Sequence, residues 1–195
     1  MGFYTDVANY LKKWEGYAEK AQWDVNAWRI GHGSDTITFP NGTYRKVLKT
    51  DVTTREMAGK DLERRIKQDF EPKVKKQIGE QYYNKLPDSA KIALISLSYN
   101  YGSITKPQII EAARSGDAKK LADAIVEATK NDNLGTRYYK GLRKRRQDEA
   151  NYILANLKKI TKESINVVKN NPVSTVFITT AIVFGLYVLI TQTRI

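Results

Sequence analysis

Residues 14–33, WEGYAEKAQWDVNAWRIGHG, mark the point at which the chain changes from a helical to an extended pattern. Upstream, apolar side chains recur at helical spacing and predict an amphipathic helix over 3–15 that ends near Glu15-Gly16. Downstream, alternating and β-branched residues predict a small antiparallel sheet over 28–47, with Pro40-Asn41-Gly42 as a hairpin turn. The stretch therefore joins a first helix to a small sheet.

The remainder of the globular part is predicted to be helical. Thr53 as N-cap and Glu56 form a capping box that opens a long charged helix toward Gly79. Residues 88–101 are apolar nearly all round, which is typical of a helix buried at the centre of a domain. Further helices are predicted over 107–114, over 117–129 with Asp117 as N-cap after the stop at Gly116, and from about 140. This order predicts an α+β protein of two lobes with a cleft between them.

The composition limits the available chemistry. The absence of cysteine excludes disulfides, thiolate zinc sites and a cysteine nucleophile, and a single histidine excludes multi-histidine metal sites. Carboxylates remain as the reactive groups, and we expect no metal and no cofactor. A net charge of +12 favours an anionic partner such as nucleic acid, lipid or cell wall. Because the positive charges are scattered and no nucleic-acid motif is present, we expect no nucleic-acid partner.

The C-terminal region has a different character. Residues 173–190 carry no charge, and a helix over 173–193 would extend about 31 Å, close to the thickness of a hydrocarbon core. We therefore predict a single membrane-spanning helix there, with a buried core helix as the alternative. Lysines are frequent in 158–172 and only Arg194 follows the span, which predicts that the large domain lies on the basic, cytoplasm-like side.

The predicted organisation has three parts, of which the last is a membrane anchor at the C-terminal end. Residues 1–157 form the globular domain, 158–172 a basic linker or helix extension, and 173–193 the transmembrane helix. The N-terminus has no signal-peptide pattern. We expect a single-pass membrane protein in which the C-terminal helix contacts lipid.

Two carboxylates flank the change from helix to sheet. Glu15 closes the first helix and Asp24 follows just ahead of the sheet, so we expect both to face the same cleft. Such a pair suits glycoside hydrolysis, in which one carboxyl donates a proton and the other stays ionised. The same spacing also fits two solvated surface charges, and Asp35 is a rival for the second carboxylate. Spacing alone leaves these interpretations open.

Three ordered segments resemble the phage-type (T4-like) lysozyme family. The first segment resembles the family's signature of Glu-Gly, Asp and Trp-Thr-Ile-Gly-Tyr-Gly-His. It consists here of Trp14-Glu15-Gly16, Asp24 and residues 28–33 (WRIGHG). Residues 100–102 (NYG) are similar to its N-x-G, and 141–149 (GLRKRRQDE) to its G-L-x-x-R-R-x-x-E. The resemblance covers about residues 3–156. It implies a lysozyme-like fold and cleavage of the β-1,4 glycan bonds of peptidoglycan.

Carried over to matching positions, the resemblance makes Glu15 the general acid and Asp24 the second catalytic carboxylate. It also implies supporting positions at Asn100 and at Arg145, an arginine that could hold the Glu15 carboxylate. For Arg145 and its neighbour Arg146, a solvated basic face is the alternative.

The sequence departs from the family where the signature places a threonine. Arg29 stands at that position, and an arginine cannot accept a hydrogen bond from the attacking water. A lytic transglycosylase route, which needs no water, therefore stays open, and Ser34 or Thr36 could instead supply the missing hydroxyl. His32, in a glycine-flanked turn, is expected to be structural.

Aromatic side chains are candidates for contact with sugar rings. Trp23, Trp28 and Tyr101 could form cleft walls, because sugars stack on aromatic faces, or they could belong to the core.

The leading hypothesis is a membrane-anchored muramidase acting on peptidoglycan. Its membrane would be the internal membrane of a phage particle used to penetrate the host wall, with other virion proteins as further partners. The alternatives are a late endolysin or a prophage-derived bacterial protein. A noncatalytic glycan-binding or structural membrane protein of the same fold is the competing class.

Overall fold

The computed structural model of the chain describes residues 2–170, 181–183 and 186–188. These residues form helices and small two-stranded antiparallel sheets, which confirms the α+β class. Two compact units divide the chain: the first comprises Met1–Lys76 and Leu94–Ser103, the second Gln77–Ala93 and Ile104–Ile195.

The first unit contains the N-terminal helix, two hairpins and the helices that follow them. Its elements are α1 (Phe3–Lys12), β1 (Ala18–Asp24), β2 (Ala27–Gly31), β3 (Thr36–Thr38), β4 (Tyr44–Lys46), α2 (Arg55–Arg65), a π-helical turn (Ile66–Phe70) and most of α3 (Glu71–Ile78). Val7, Tyr10 and Leu11 of α1 are buried, as the amphipathic pattern predicts. The regular helix ends at Lys12 rather than at Glu15.

The predicted sheet is two separate hairpins. β3 pairs with β4 around the Pro40-Asn41-Gly42 turn, which confirms that hairpin. The other hairpin, β1 with β2, begins at Ala18, ten residues ahead of the predicted sheet at Trp28. Its strand β1 is mostly exposed and rich in polar residues, so it lacks the apolar alternation by which a strand is recognised in sequence.

The N-cap of α2 is displaced by one residue from the predicted position. The hydroxyl of Thr54, not that of Thr53, accepts a hydrogen bond from the amide of Met57. Thr53 instead donates its own amide to the carbonyl of Glu19 on β1 and is buried. A tertiary contact therefore displaces the capping box, and Glu56 pairs with Lys60.

The described part of the second unit is mainly helical. Its elements are the N-terminal part of α5 (Asp88–Tyr101), α4 (Glu80–Tyr83), α6 (Pro107–Ser115), α7 (Ala118–Ala128), α8 (Tyr139–Asn170), and the strands β5 (Ala181–Val183) and β6 (Leu186–Val188). Gly116 ends α6 in the left-handed conformation, and the Asp117 carboxylate caps α7 by accepting from the amide of Lys120. Both predicted signals are confirmed.

The predicted burial of the helix over 88–101 is also confirmed. The bounds of α5 match the sequence pattern, and its apolar side chains Ile92, Leu94, Ile95 and Leu97 are each at most 2% exposed. A helix that is apolar all round has no face left for solvent, which is the reason for its near-complete burial.

Most of the predicted membrane helix over 173–193 lies outside the described residues. For the six residues of that range that are described, the helix is wrong, because β5 and β6 pair as antiparallel strands. Within the part of the chain that the structure describes, no helix is long and apolar enough to cross a membrane. Residues 158–170 of the predicted linker continue α8.

Candidate active site

Glu15 lies on the turn that follows α1. Its amide bonds to the carbonyl of Leu11 at 3.0 Å, so the last helical turn holds its backbone in place. The side chain is half-buried and lines an open pocket of about 490 Å³, together with Lys12, Tyr17, His32 and Arg55. We refer to this space as the Glu15 pocket. A carboxyl group in such a position can reach a bound ligand.

Asp24 lies at the end of the β1–β2 hairpin and is paired with Arg29. The Arg29 Nε atom donates to Asp24 Oδ2 at 2.9 Å, and its Nη1 atom lies 3.4 Å from the carbonyl oxygen of Gly33. The Asp24 side chain is 59% exposed. The residue that replaces the family's threonine therefore fixes the direction of the second carboxylate.

His32 connects the turn after α1 to the end of β2. It is 6% exposed, and its Nδ1 atom lies 2.9 Å from the Gly16 carbonyl oxygen. Since a carbonyl can only accept, Nδ1 carries the hydrogen, which leaves Nε2 as an acceptor in the neutral ring. The hydroxyl of Tyr99 donates to the His32 carbonyl. These contacts hold the backbone beside Glu15.

The charge state of His32 follows from its surroundings. Burial lowers the pKa of His32 below its usual value, and the hydrogen bond to Gly16 acts in the opposite direction. The positive charges of Lys12 and Arg55 lower the pKa further, whereas the Glu15 carboxylate raises it. His32 is consequently neutral near pH 7.

Ser34 and Thr36 belong to a polar network on α2. Thr36 Oγ1 lies 3.0 Å from Ser34 Oγ and 3.1 Å from Asp61 Oδ1, and it accepts from Arg64 Nη2 at 2.7 Å. Thr38 Oγ1 donates to Asp61 Oδ1 at 2.6 Å and accepts from Arg64 Nε. Both hydroxyls proposed as substitutes for the family's threonine are thus engaged in this network.

Sequence reasoning missed Asp61 and Arg64, the centre of this network. Their side chains are only 4% and 8% exposed. Two features of the sequence could have indicated this network. Asp61 and Arg64 are an acid and a base three positions apart on a predicted helix. Thr36 and Thr38 alternate along a strand, which places both hydroxyls on one face. A cavity of about 10 Å³, lined by groups that include Asp61 and Thr36, adjoins the network and has room for about one water.

Asp35, the rival second carboxylate, forms a different ion pair. Its Oδ1 atom lies 3.6 Å from Arg65 Nη2, and the side chain is 34% exposed. Arg65 also contacts Asp69 and the ring of Tyr99, so Asp35 belongs to a cluster around α2 rather than to the Asp24–Arg29 pair.

Asn100 lies near the end of α5 and is half-buried. Its Oδ1 atom is buried and has no hydrogen-bond partner among the residues that the structure describes. Gly102, two residues further on, ends the helix with a φ of +79°.

Arg145 and Arg146 are both buried in α8 of the second unit. Arg145 Nε lies 3.5 Å from Glu149 Oε1, and Arg146 Nε lies 2.8 Å from Glu149 Oε2. The alternative of a solvated basic face is therefore wrong for both arginines, because buried charges need a partner of opposite sign. The role of Arg145 toward Glu15 stays a prediction.

A comparison with protein-family models identifies the chain. The model described as phage lysozyme matches residues 12–149. The chain belongs to the phage lysozyme family. That range begins with the last residue of α1 and ends with Glu149, so it contains every site residue discussed above. No curated protein matches the chain.

Membership of the phage lysozyme family makes the protein a glycoside hydrolase-type enzyme that degrades peptidoglycan. The three motifs of the family resemblance lie within the matched residues. Groups of three or more His, Cys, Asp or Glu side chains suited to a metal ion do not occur in the described part of the chain.

The aromatic candidates differ in their exposure to solvent. Trp23 is 59% exposed and Tyr101 is 36% exposed, so assignment to the core is wrong for both. Trp28 is partly buried and packs on the cluster of Ile30, Ile37 and Val47. The Trp23 and Trp28 rings meet edge to face, 5.4 Å apart. Trp23 is therefore an accessible aromatic face next to Asp24.

The lowered pKa of His32 leads to a pH-dependent stability. Below an unfolded pKa of about 6.5, the unfolded chain binds a proton that the folded chain does not, so the free energy of unfolding falls as pH falls. His32→Asn keeps a donor for the Gly16 carbonyl but cannot titrate. We expect the free energy of unfolding, measured in urea, to fall more steeply between about pH 7.5 and about pH 5 for the unmodified protein than for the variant. Parallel pH profiles would contradict this assignment.

Proposed function

We propose that this protein is a muramidase that hydrolyses the β-1,4 glycosidic bonds of peptidoglycan, with Glu15 and Asp24 as its catalytic carboxyl groups. The observation that carries the proposal is the placement of Glu15. It is half-buried at a helix end, and it lines a pocket of about 490 Å³ that is open to a ligand. Family membership supplies the substrate class.

In the proposed mechanism the two carboxyl groups have different roles. Glu15 donates its proton to the leaving glycosidic oxygen. Asp24 stays ionised and stabilises the positive charge that develops on the sugar ring. Asp24 is exposed and paired with Arg29, whereas Glu15 is half-buried in the wall of its pocket.

Glu15→Gln keeps the size and hydrogen-bonding capacity of the side chain but removes the acid proton. We expect cleavage of purified peptidoglycan to fall at least about a hundredfold, with little change in thermal stability. Glu19→Gln, at an exposed position of β1, is the matched control and should retain activity. Asp24→Asn should also lower the rate, and by less if the route is a transglycosylation. Retained activity of Glu15→Gln would remove Glu15 from the acid role.

Arg29 favours a second candidate, a lytic transglycosylase with the same site. Its guanidinium donates to Asp24 and contacts Gly33, and it offers no acceptor to an attacking water. The hydroxyls of Ser34 and Thr36 are engaged with each other and with Asp61. In a transglycosylation a hydroxyl of the sugar itself attacks, so no water has to be held.

The products distinguish the two routes. Hydrolysis leaves reducing ends, whereas transglycosylation leaves 1,6-anhydro ends that are lighter by one water, and mass spectrometry separates them. Arg29→Thr frees Asp24 and introduces a hydroxyl, so we expect the share of reducing-end products to rise. Arg29→Lys keeps the charge and serves as the control. An unchanged product ratio in Arg29→Thr would contradict this role of Arg29. Folded protein that forms neither product would indicate a noncatalytic glycan binder.

We also propose that the enzyme is carried by a phage particle and opens the host wall during penetration. The support is the match of the chain to the phage lysozyme family. Other virion proteins would then be its partners. We expect peptidoglycan-cleaving activity to copurify with intact particles in a density gradient. Activity confined to the lysate would favour a late endolysin instead.

A further inference from the structure

The Glu15 pocket has two cations in its wall. Lys12 is the last residue of α1 and Arg55 the first residue of α2. A Cβ atom added to Gly59 would lie 3.5 Å from the Lys12 Nζ atom. Gly59 follows Arg55 by four positions and therefore shares its face of α2. Both cations thus lie along one side of the first turns of α2.

Neither cation has an acidic partner within the described part of the chain, whereas Lys60 on the same helix pairs with Glu56 at 2.8 Å. The charges of Lys12 and Arg55 both act on His32. Burial is the main cause of the lowered pKa of His32, and the charges of Lys12 and Arg55 both add to it. A bound anion in the pocket would be attracted by both charges.

Tyr17 holds the guanidinium of Arg55 in place. The Arg55 guanidinium carbon lies 4.4 Å from the centroid of the Tyr17 ring, and the Tyr17 hydroxyl donates to the Thr53 carbonyl at 3.0 Å. One face of the ring is thereby covered. A guanidinium ordered in this way is prepared for a bidentate contact with a carboxylate. The pocket wall accordingly offers ordered positive charge to a ligand.

We propose that the Glu15 pocket binds a carboxylate carried by peptidoglycan, beside the bond that Glu15 protonates. This inference rests on the proposed function for the identity of the polymer. The carboxylate belongs either to the stem peptide or to a lactyl group that has lost its peptide, and the chemistry of recognition is the same for both. The pocket makes the enzyme selective for acidic wall polymer over neutral chains of N-acetylglucosamine.

Binding of small probes to the unmodified full-length protein tests the pocket without any cleavage, since monosaccharides contain no β-1,4 bond. N-acetylmuramic acid is compared with N-acetylglucosamine, and N-acetylmuramoyl dipeptide with its carboxyl-amidated form. We expect the acidic member of at least one pair to bind about tenfold more tightly in calorimetric titrations. The pair that shows the difference identifies the source of the carboxylate. Equal affinities within both pairs would overturn the proposal.

Substitutions test whether Lys12 and Arg55 cause the preference for acidic probes. Lys12→Gln with Arg55→Gln should abolish the preference for the acidic probe, and each single change should remove part of it. Lys13→Gln is the matched control, because this exposed neighbour is not part of the pocket wall. An equal loss in Lys13→Gln would show an effect of net charge and would overturn the assignment. The single variants decide the question if the double variant is unstable.

Cleavage assays separate this inference from the proposed function. The ratio of kcat/KM on peptidoglycan with free carboxylates to kcat/KM on amidated peptidoglycan should be about tenfold lower for the double variant than for the unmodified enzyme, and the difference should arise in KM. Cleavage without any preference for free carboxylates would refute the anion site and leave the muramidase proposal intact. Binding of acidic probes without cleavage of any glycan would refute the muramidase proposal and leave the anion site intact.

Discussion

The candidate active site depends on a buried ion pair, Asp61 with Arg64, that is bonded to the threonine hydroxyls of β3. Both side chains are almost fully buried, so each charge needs every partner that the network supplies. The network holds β3 against α2. The segment that follows β2 is then fixed, because Ser34 exchanges two backbone hydrogen bonds with Ile30. This segment carries His32, whose ring bonds to Gly16 next to Glu15. The loop beside Glu15, the proposed acid, is therefore held by an interaction that includes neither of the proposed catalytic carboxyl groups.

The same arrangement explains the glycine that opens the Gly31-His32-Gly33 turn. Gly31 has a φ of +61°, and a Cβ atom at this position would lie 2.8 Å from the Cβ atom of Ala58 on α2. Both the left-handed backbone and the close approach of the helix require glycine there. A larger residue would push α2 away from β2 and would disturb both the buried ion pair and His32. Gly31, which belongs to the motif by which the family is recognised in sequence, is thus required by the packing of β2 against α2.

The cations near the two proposed catalytic carboxylates differ in their partners. Arg29 is committed to Asp24, at a Nε to Oδ2 distance of 2.9 Å, and so it shapes the chemistry at the second carboxylate. Lys12 and Arg55, beside Glu15, have no acidic partner in the described residues and are available to a substrate. Under our proposals, the Arg29–Asp24 pair affects how the glycosidic bond is broken, and Lys12 and Arg55 affect which polymer is bound. The net charge of +12 favours approach to an acidic wall in either case.

Local sequence patterns were sufficient to predict those helices and helix ends that depend only on residues close together in the chain. Helical spacing identified α1, the apolar stretch identified α5, and the stop at Gly116 with the cap at Asp117 needed only neighbouring residues. The family motifs placed Glu15 and Asp24 as candidates. Only the tertiary structure decided which threonine caps α2, that Arg29 pairs with Asp24, and that Asp61 and Arg64 are buried together. For the helix cap and for Arg29 the fold brings the deciding partner close through strand pairing, and no periodicity in the chain records such a contact. Asp61 and Arg64 are three positions apart on α2, but their burial depends on the packing of β3 against that helix.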